Sequence, residues 1–405
     1  MRRALDGLGE TSEPSGLRKR VGRGIGSNRA PYGRTIWFRD KASAWLSLQP
    51  DGTLLIRSGI TDLGAGQAAS LCQIASEVLG VPLSDISIYI GDNALNPPAG
   101  GTFATRQLYM SGNAVLHTAT ELRDRIAPVA ADLLGAGVEA LVFEDGIVRV
   151  RGMDRVREPS QEEVDAFLEQ GERELRFGRG GPEDFLVLQG KATESTAART
   201  RSAEDVPAAE PGGGPSGGLS LGQLVLACEQ RGVHTSHLAV WHAEGGTYDP
   251  KTGQGGTFPD YTYGTHAAEV EVDLDTGQVT VLKYVASHDV GRAINPMRVV
   301  GQIQGAAVQG LGYALMEELA LDEGSNVSTL FANYLIPSAM DFPDVQVDFI
   351  ESGEGKGPLG ARGIGEPPIG NVAATIASAI HDAIGVRPMR LPMTPERVLD
   401  LLDQS

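Results

Sequence analysis

The stretch Gly360-Ala361-Arg362-Gly363-Ile364-Gly365-Glu366-Pro367-Pro368-Ile369 sets one carboxylate among three glycines and two prolines. Glycines permit positive φ and let backbone approach backbone or a ligand closely. Pro367 and Pro368 fix φ and push Glu366 out of helical geometry. Such a carboxylate is placed on a stiff loop. Apolar residues then recur at helical spacing: Ile369, Val372, Ala373, Ile376, Ile380, Ala383 and Ile384, with Gly385 as the stop. Glu366 is therefore expected just before a helix N-terminus, where the dipole favours the ionised form and hence a base. Taken alone, a Gly-x-Gly-Glu is more often an ordinary solvated turn carboxylate.

Working outward, the second half alternates at Val270, Val272 and Leu274, turns at Asp275-Thr276-Gly277, and returns at Val279 and Val281. Asp289-Val290-Gly291 follows, and then a helix expected from Val299 to Leu319, opened by Gly301-Gln302. The first half has the same order. A hairpin spans Trp37 to Ile60 around Pro50-Asp51-Gly52. Asp62-Leu63-Gly64-Ala65-Gly66-Gln67 then opens a helix that runs to Gly80. Hairpin, Asp-x-Gly, Gly-Gln and helix thus occur twice, which is either a weak internal duplication or coincidence. A short strand at Ile86–Ile90 leads to the loop Gly100–Arg106 and a long helix that Pro128 is expected to kink or divide. Asp145-Gly146 turns another hairpin.

The expected segments are a basic arm at 1–20, a first subdomain at 21–150, an insertion or linker at 151–218, and a second subdomain at 219–405. The insertion is rich in charge, Ala and Ser, with a Pro-Gly-Gly-Gly-Pro-Ser-Gly-Gly cluster. The chain has 405 residues and is 41% hydrophobic, enough for a sizeable core. A net charge of −18 argues against general nucleic-acid binding. The one basic run, Arg18, Lys19, Arg20, Arg23, Arg29 and Arg34, is expected to be a solvated arm. Two cysteines, Cys72 and Cys228, form no disulfide framework and suit a reducing cytoplasm. No apolar run is long enough to span a bilayer. Gly22-Arg23-Gly24-Ile25-Gly26 is a poor dinucleotide fingerprint, having no preceding strand. His234, His237, His242 and Cys228 match no common closed zinc site. Arg362 suits either a ligand contact or a structural ion pair.

Five landmarks stand in one order: Asp62–Gln67, Gly100–Val115, Asp289–Pro296, Gly301–Ala306 and Gly360–Pro368. Together they resemble the molybdenum-binding subunit of the xanthine dehydrogenase, aldehyde oxidase and carbon monoxide dehydrogenase family. The resemblance covers roughly 21–150 and 219–401 and implies an α+β fold of two similar sheet-and-helix subdomains clasping the cofactor. It implies a molybdopterin-type cofactor, as a dinucleotide, with Gln67, Thr102, Ala104, Thr105 and Gln302 contacting the pterin or packing near the metal. It makes Glu366 the general base, deprotonating a metal-bound hydroxide in the oxidative hydroxylation of an aldehyde or N-heterocycle. FAD and 2Fe-2S clusters are then expected on separate partner chains, since two cysteines cannot hold a cluster. The family's subunit is longer, and this chain resembles only its second molybdopterin-binding domain. A complementing chain is therefore expected to supply the first half of the site. The alternative is a catalytically silent molybdopterin-binding or assembly component, or a truncated gene product.

Overall fold

The computed structural model describes residues 1–33, 40–152, 218–244 and 246–403. The expected insertion falls almost wholly outside them, as does the start of the first hairpin at Trp37. Strands β2 (Lys41–Leu48) and β3 (Leu54–Ser58) pair antiparallel, with Ala44 opposite Ser58, Leu46 opposite Ile56 and Leu48 opposite Leu54. Helix α2 (Gln67–Leu79) crosses over, and β4 (Ile86–Tyr89) returns parallel to β3. Helix α3 (Asn113–Leu134) then packs back on the sheet. Pro128 does not divide α3. It lies on the exposed face, where water can serve the carbonyl that its missing N–H leaves unpaired.

The same order recurs. Strands β9 (Asp260–Asp273) and β10 (Val279–Asp289) form the hairpin. Helix α5 (Pro296–Leu315) crosses over, β13 (Val345–Ile350) lies parallel to β10, and α6 (Val372–Ile384) packs back. With β1 at Lys19–Tyr32 and β8 at Ser236–His242, the two four-stranded sheets have orders β4-β3-β2-β8 and β13-β10-β9-β1. Each last strand is lent by the other half. β1 pairs with β9, and β8 pairs with β2. The duplication is thus a repeated β-β-α-β-α topology, and its two contiguous segments exchange one strand each. Between them lie β5 (Leu141–Glu144), β6 (Ile147–Val150), the short β7 (Leu219–Ser220) and α4 (Leu221–Gln230). A small hairpin of β11 (Leu321–Asp322) and β12 (Ser325–Asn326) follows α5, and α7 (Pro395–Leu402) ends the fold.

The glycine run on β1 is a groove for a helix. A Cβ on Gly22 would sit 2.4 Å from Ala383 N, on Gly24 2.3 Å from Ala379 N, and on Gly26 2.5 Å from Thr375 Oγ1. Two strand residues advance about 6.6 Å and four helix residues about 6 Å, so the two series stay in step. Helix α6 therefore lies directly on bare backbone. Its remaining inward side chains, Val372, Ile376 and Ile380, enter the core shared with α5, where each contributes about 2 kcal/mol.

The basic run is only in part a solvated arm: Arg18 and Arg20 are exposed, Lys19 and Arg23 are engaged by carboxylates, and Arg34 lies outside the described residues. Residues Arg2–Gly7 form α1, whose Ala4 packs with Leu8, Ala267 and Val285. Lys19 onward is β1, and its cations meet carboxylates on β9: Lys19 pairs with Glu271 at 2.9 Å and Arg23 with Glu269 at 2.7 Å. Ser12 donates to Glu269, and the Ser15 backbone N–H to Glu271 at 2.6 Å. Burial pushes the Glu269 carboxyl up, but hydrogen bonds from Ser12, Arg23 and Lys283 outweigh it and hold it below the usual range.

Candidate active site

The loop Gly100–Arg106 joins β4 to α3, and the loop Gly360–Ile369 joins β13 to α6. They occupy equivalent places in the two units, and they meet. Ala104 and Thr105 have φ of 50° and 51°. That left-handed conformation is unusual for any residue with a Cβ and most costly for a β-branched one. It persists because the loop is pinned. Arg106, fully buried, binds both Asp40 oxygens at 2.6 and 2.8 Å and the Gly101 carbonyl at 2.7 Å. The Gly33 N–H donates to the Ala104 carbonyl at 3.1 Å.

The second loop is pinned in the same style. Arg362, 8% exposed, donates to Asp260 Oδ1 at 3.0 Å and lies 3.5 Å from Asp289 Oδ2. Asp260 opens β9 as Asp40 immediately precedes β2, so each loop is tied by a buried arginine to the start of its own hairpin. Arg362 is therefore a structural ion pair. Thr262 Oγ1 donates to the Gly363 carbonyl at 2.6 Å. A Cβ on Gly363 would lie 2.5 Å from Thr105 Cγ2, so glycine is needed for the loops to close on each other.

At the junction Thr105 Oγ1 donates to Glu366 Oε2 at 2.8 Å and accepts from the Glu366 N–H at 2.9 Å. Gln302 Nε2 donates to the Gly365 carbonyl at 3.2 Å. Thr102 Oγ1 donates to the Thr61 carbonyl at 2.8 Å, tying its loop to the one that opens α2. Thr105, Glu366 and Gln302 are thus brought together, with Ala104 beside them in the same strained pair. Gln67 is the first residue of α2, and its Oε1 is buried without a partner. Glu366 itself is exposed.

Two expectations change. Glu366 does not directly precede a helix: a 3-10 turn, Pro367–Ile369, intervenes, and α6 begins at Val372. Gln302 does not open its helix, because Asn295 caps α5 and Pro296 starts it, which puts Gln302 in the second turn. At the start of α2 the chain satisfies several of its own backbone N–H groups. Asp62 accepts from Gly64, Gly66 and Ala68 at 2.9, 3.1 and 3.2 Å. A carboxylate of the chain already fills that nest. The unpaired Gln67 amide and the Gln302 amide fit a planar group recognised along its polar edge, as a pterin ring would be.

The pinning residues Asp40, Arg106 and Asp260 went unread in the sequence; an arginine directly after a Gly-Thr loop was the available signal. Among the described residues no group of three His, Cys, Asp or Glu is arranged to hold a metal. His237 instead pairs with Glu121 at 2.5 Å. Both cysteines are free, and burial pushes each thiol up to about 11. A concavity of about 340 Å³ lined by Pro50, Gly52, Ser220 and Gln223 touches none of the site residues. No helix among the described residues is long and apolar enough to cross a membrane.

The repeated α+β units and the two facing loops define the class. The chain matches the family model of the molybdopterin cofactor-binding domain over residues 6–176 and 187–343, and it belongs to that family. It is 29% identical over 351 residues to the 6-hydroxypseudooxynicotine dehydrogenase complex subunit gamma of Paenarthrobacter nicotinovorans, covering 86% of this chain and 36% of that protein. It is 26% identical over 384 residues to the putative xanthine dehydrogenase molybdenum-binding subunit of Escherichia coli K12, covering 93% and 42%. Quinoline 2-oxidoreductase from Pseudomonas putida 86 superposes with a TM-score of 0.72 at 24% identity, over 100% of this chain and 43% of that one. The chain thus spans 36% and 42% of the length of the two sequence relatives. Its homologues are molybdenum-dependent oxidoreductases of the xanthine dehydrogenase and aldehyde oxidoreductase kind.

Proposed function

We propose that this chain forms the pterin-holding part of a molybdenum hydroxylase and that Glu366 is its general base. The reaction is oxidative hydroxylation of an aldehyde or N-heterocycle. One observation carries this reading: Glu366 is held by Thr105, a residue from the equivalent loop of the other unit, through both its backbone and its side chain. A carboxylate needed only for solubility has no use for a partner in a strained left-handed conformation. When bound, the cofactor supplies a two-electron acceptor and the Lewis acidity that lowers the pKa of water. Thr105 fixes Glu366 Oε2 and so aims Oε1, the oxygen that takes the proton from water. Ala104 keeps that side of the loop small for the substrate. Gln67 and Gln302 orient the pterin edge. In balance, water supplies the oxygen, the substrate carbon loses two electrons and a proton, and a second proton leaves through Glu366. The dinucleotide form of the cofactor belongs to the same reading.

The electrons leave to other chains, for which the proposal is an iron–sulfur subunit and a flavin subunit. The names of the relatives support partners of some kind, being those of a complex subunit and of a molybdenum-binding subunit. A further chain completing the metal pocket, and a cytoplasmic setting, belong to the same proposal. The exposure of Glu366 favours a second reading, a silent cofactor-binding or assembly component. Co-purified molybdenum and pterin, with turnover of an aldehyde or N-heterocycle that Glu366→Gln removes, supports the first. Cofactor retained without turnover, with all partners present, supports the second.

A further inference from the structure

Asn28 on β1, Gly264 on β9 and His288 on β10 stand in one row across the second sheet. A Cβ on Gly264 would sit 2.3 Å from His288 Nδ1 and 2.9 Å from Asn28 Oδ1. Both of those atoms are buried, and neither has a hydrogen-bond partner. Unpaired buried polar atoms carry their full desolvation penalty, so two of them converging on one gap ask for each other.

The row continues on both sides. His288 Nε2 lies 2.7 Å from His266 Nε2, and His266 Nδ1 lies 2.8 Å from the Tyr284 hydroxyl; all three residues are buried. Burial keeps both rings neutral: His266 titrates well below its ordinary value, and His288 is pushed down to about 4. Each ring then carries one proton. With the Tyr284 hydroxyl donating to His266 Nδ1, His266 donates from Nε2 to His288 Nε2. The remaining His288 proton is then on Nδ1, the atom that shares the gap at Gly264 with the acceptor Asn28 Oδ1. On its other side Asn28 Nδ2 donates to the Pro367 carbonyl at 2.6 Å. That carbonyl also accepts from the Gly370 N–H at 3.3 Å, within the turn that follows Glu366.

We propose that His288 is a positioning residue for the Glu366 loop: its Nδ1–H and Asn28 Oδ1, each unpaired on either side of the gap left by Gly264, pair across it, while Asn28 Nδ2 holds the carbonyl of Pro367. Asn28 then stands at the end of the Gly22, Gly24 and Gly26 groove, where it stops the turn before α6 from sliding along β1. The loop's order thus depends on a buried chain that touches neither substrate nor cofactor. The catalytic consequence rests on Glu366 being the base; the structural coupling does not.

The test is amide hydrogen exchange at Ile369 and Gly370 in the full-length chain. Asn28→Ala and His288→Phe each raise exchange roughly fivefold, the worth of one hydrogen bond. The double variant exchanges no faster than either single one, and His288→Asn, which returns an amide donor near Nδ1, restores the slow rate. Wild-type exchange in His288→Phe, or additive effects in the double variant, overturns the proposal. Should His288→Phe not fold, the His288 ring ¹⁵N shifts of wild type and Asn28→Ala decide instead: a protonated Nδ1 whose shift moves supports the link, and unmoved shifts sink it. In the loaded enzyme the same variants lower kcat and leave KM unchanged. If Glu366→Gln turns over normally, the base assignment fails while the exchange result stands on its own.

Discussion

Replacing Thr105 separates what the loop junction does for the fold from what it does for chemistry. Thr105→Val keeps the shape and removes both hydrogen bonds to Glu366. A bond to a charged group contributes about 1.5–3 kcal/mol and a neutral one about 1 kcal/mol. The exposure of Glu366 puts both at the low end, so roughly 2 kcal/mol of positioning is lost, or about thirtyfold in kcat. KM stays near wild type, because the lost contacts orient a base and bind no substrate. Thr105→Gly removes the same bonds but also releases the left-handed strain at φ 51°, about 1–2 kcal/mol. Its thermal midpoint therefore holds or rises while kcat falls. Thr105→Ser keeps the hydroxyl and stays within about twofold of wild type, since it retains both bonds. Steady-state kinetics on the cofactor-loaded complex and a melting curve read all three. A wild-type kcat in Thr105→Val, or equal kcat for the serine and glycine variants, refutes the reasoning.

Other consequences are checked more simply. Gly24→Ala drives a methyl to within 2.2 Å of the Thr375 carbonyl and should cost about 3 kcal/mol or more in urea unfolding; a cost under about 1 kcal/mol contradicts the groove. Arg106→Ala strands Asp40 and should destabilise by about 3–5 kcal/mol. Arg106→Lys should rescue little of this, since an ammonium cannot make the two-pronged contact. For His266 and His288 the folded pKa lies below the unfolded one, so the unfolded chain binds protons first on acidification. Their contribution is complete above about pH 6.5 and is lost as pH falls toward 4. Each steepens the stability curve by about 1.4 kcal/mol per pH unit in that window. Denaturation midpoints between pH 7 and 4 should therefore flatten in His288→Phe.

What the chain's pattern disclosed was local. Alternation at Val270 and Val272, the Asp275-Thr276-Gly277 turn and the spacing from Val372 to Ile384 all became the elements they suggested, because each is set within a dozen residues. What stayed hidden was pairing over distance. Nothing near Arg23 announces Glu269, so a buried ion pair looked like a solvated charge run. The alternate glycines of β1 read only as a poor dinucleotide fingerprint, and their use stays hidden because their partner is the backbone of a helix some 350 residues on. The exchange of β1 and β8 leaves no mark in composition. Helix phase was misjudged at Gln302 because Gly301 suggested a start, whereas Asn295 and Pro296 carried the true signal, a side-chain cap followed by proline. At the site, Glu366 stood out from its glycines and prolines, but Thr105, which orients it, is separated from it by 261 residues.

The central claim is that Glu366 acts as a base on a loop clasped by its twin. Glu366→Gln keeps size and the Thr105 contact but cannot take a proton. The decisive measurement is single-turnover reduction of the assembled enzyme by an aldehyde or N-heterocycle, with molybdenum and pterin content determined in the same sample. The account predicts full cofactor content and a reduction rate lower by about 10²–10⁴-fold, the usual worth of a general base. An equal rate at equal cofactor content contradicts it.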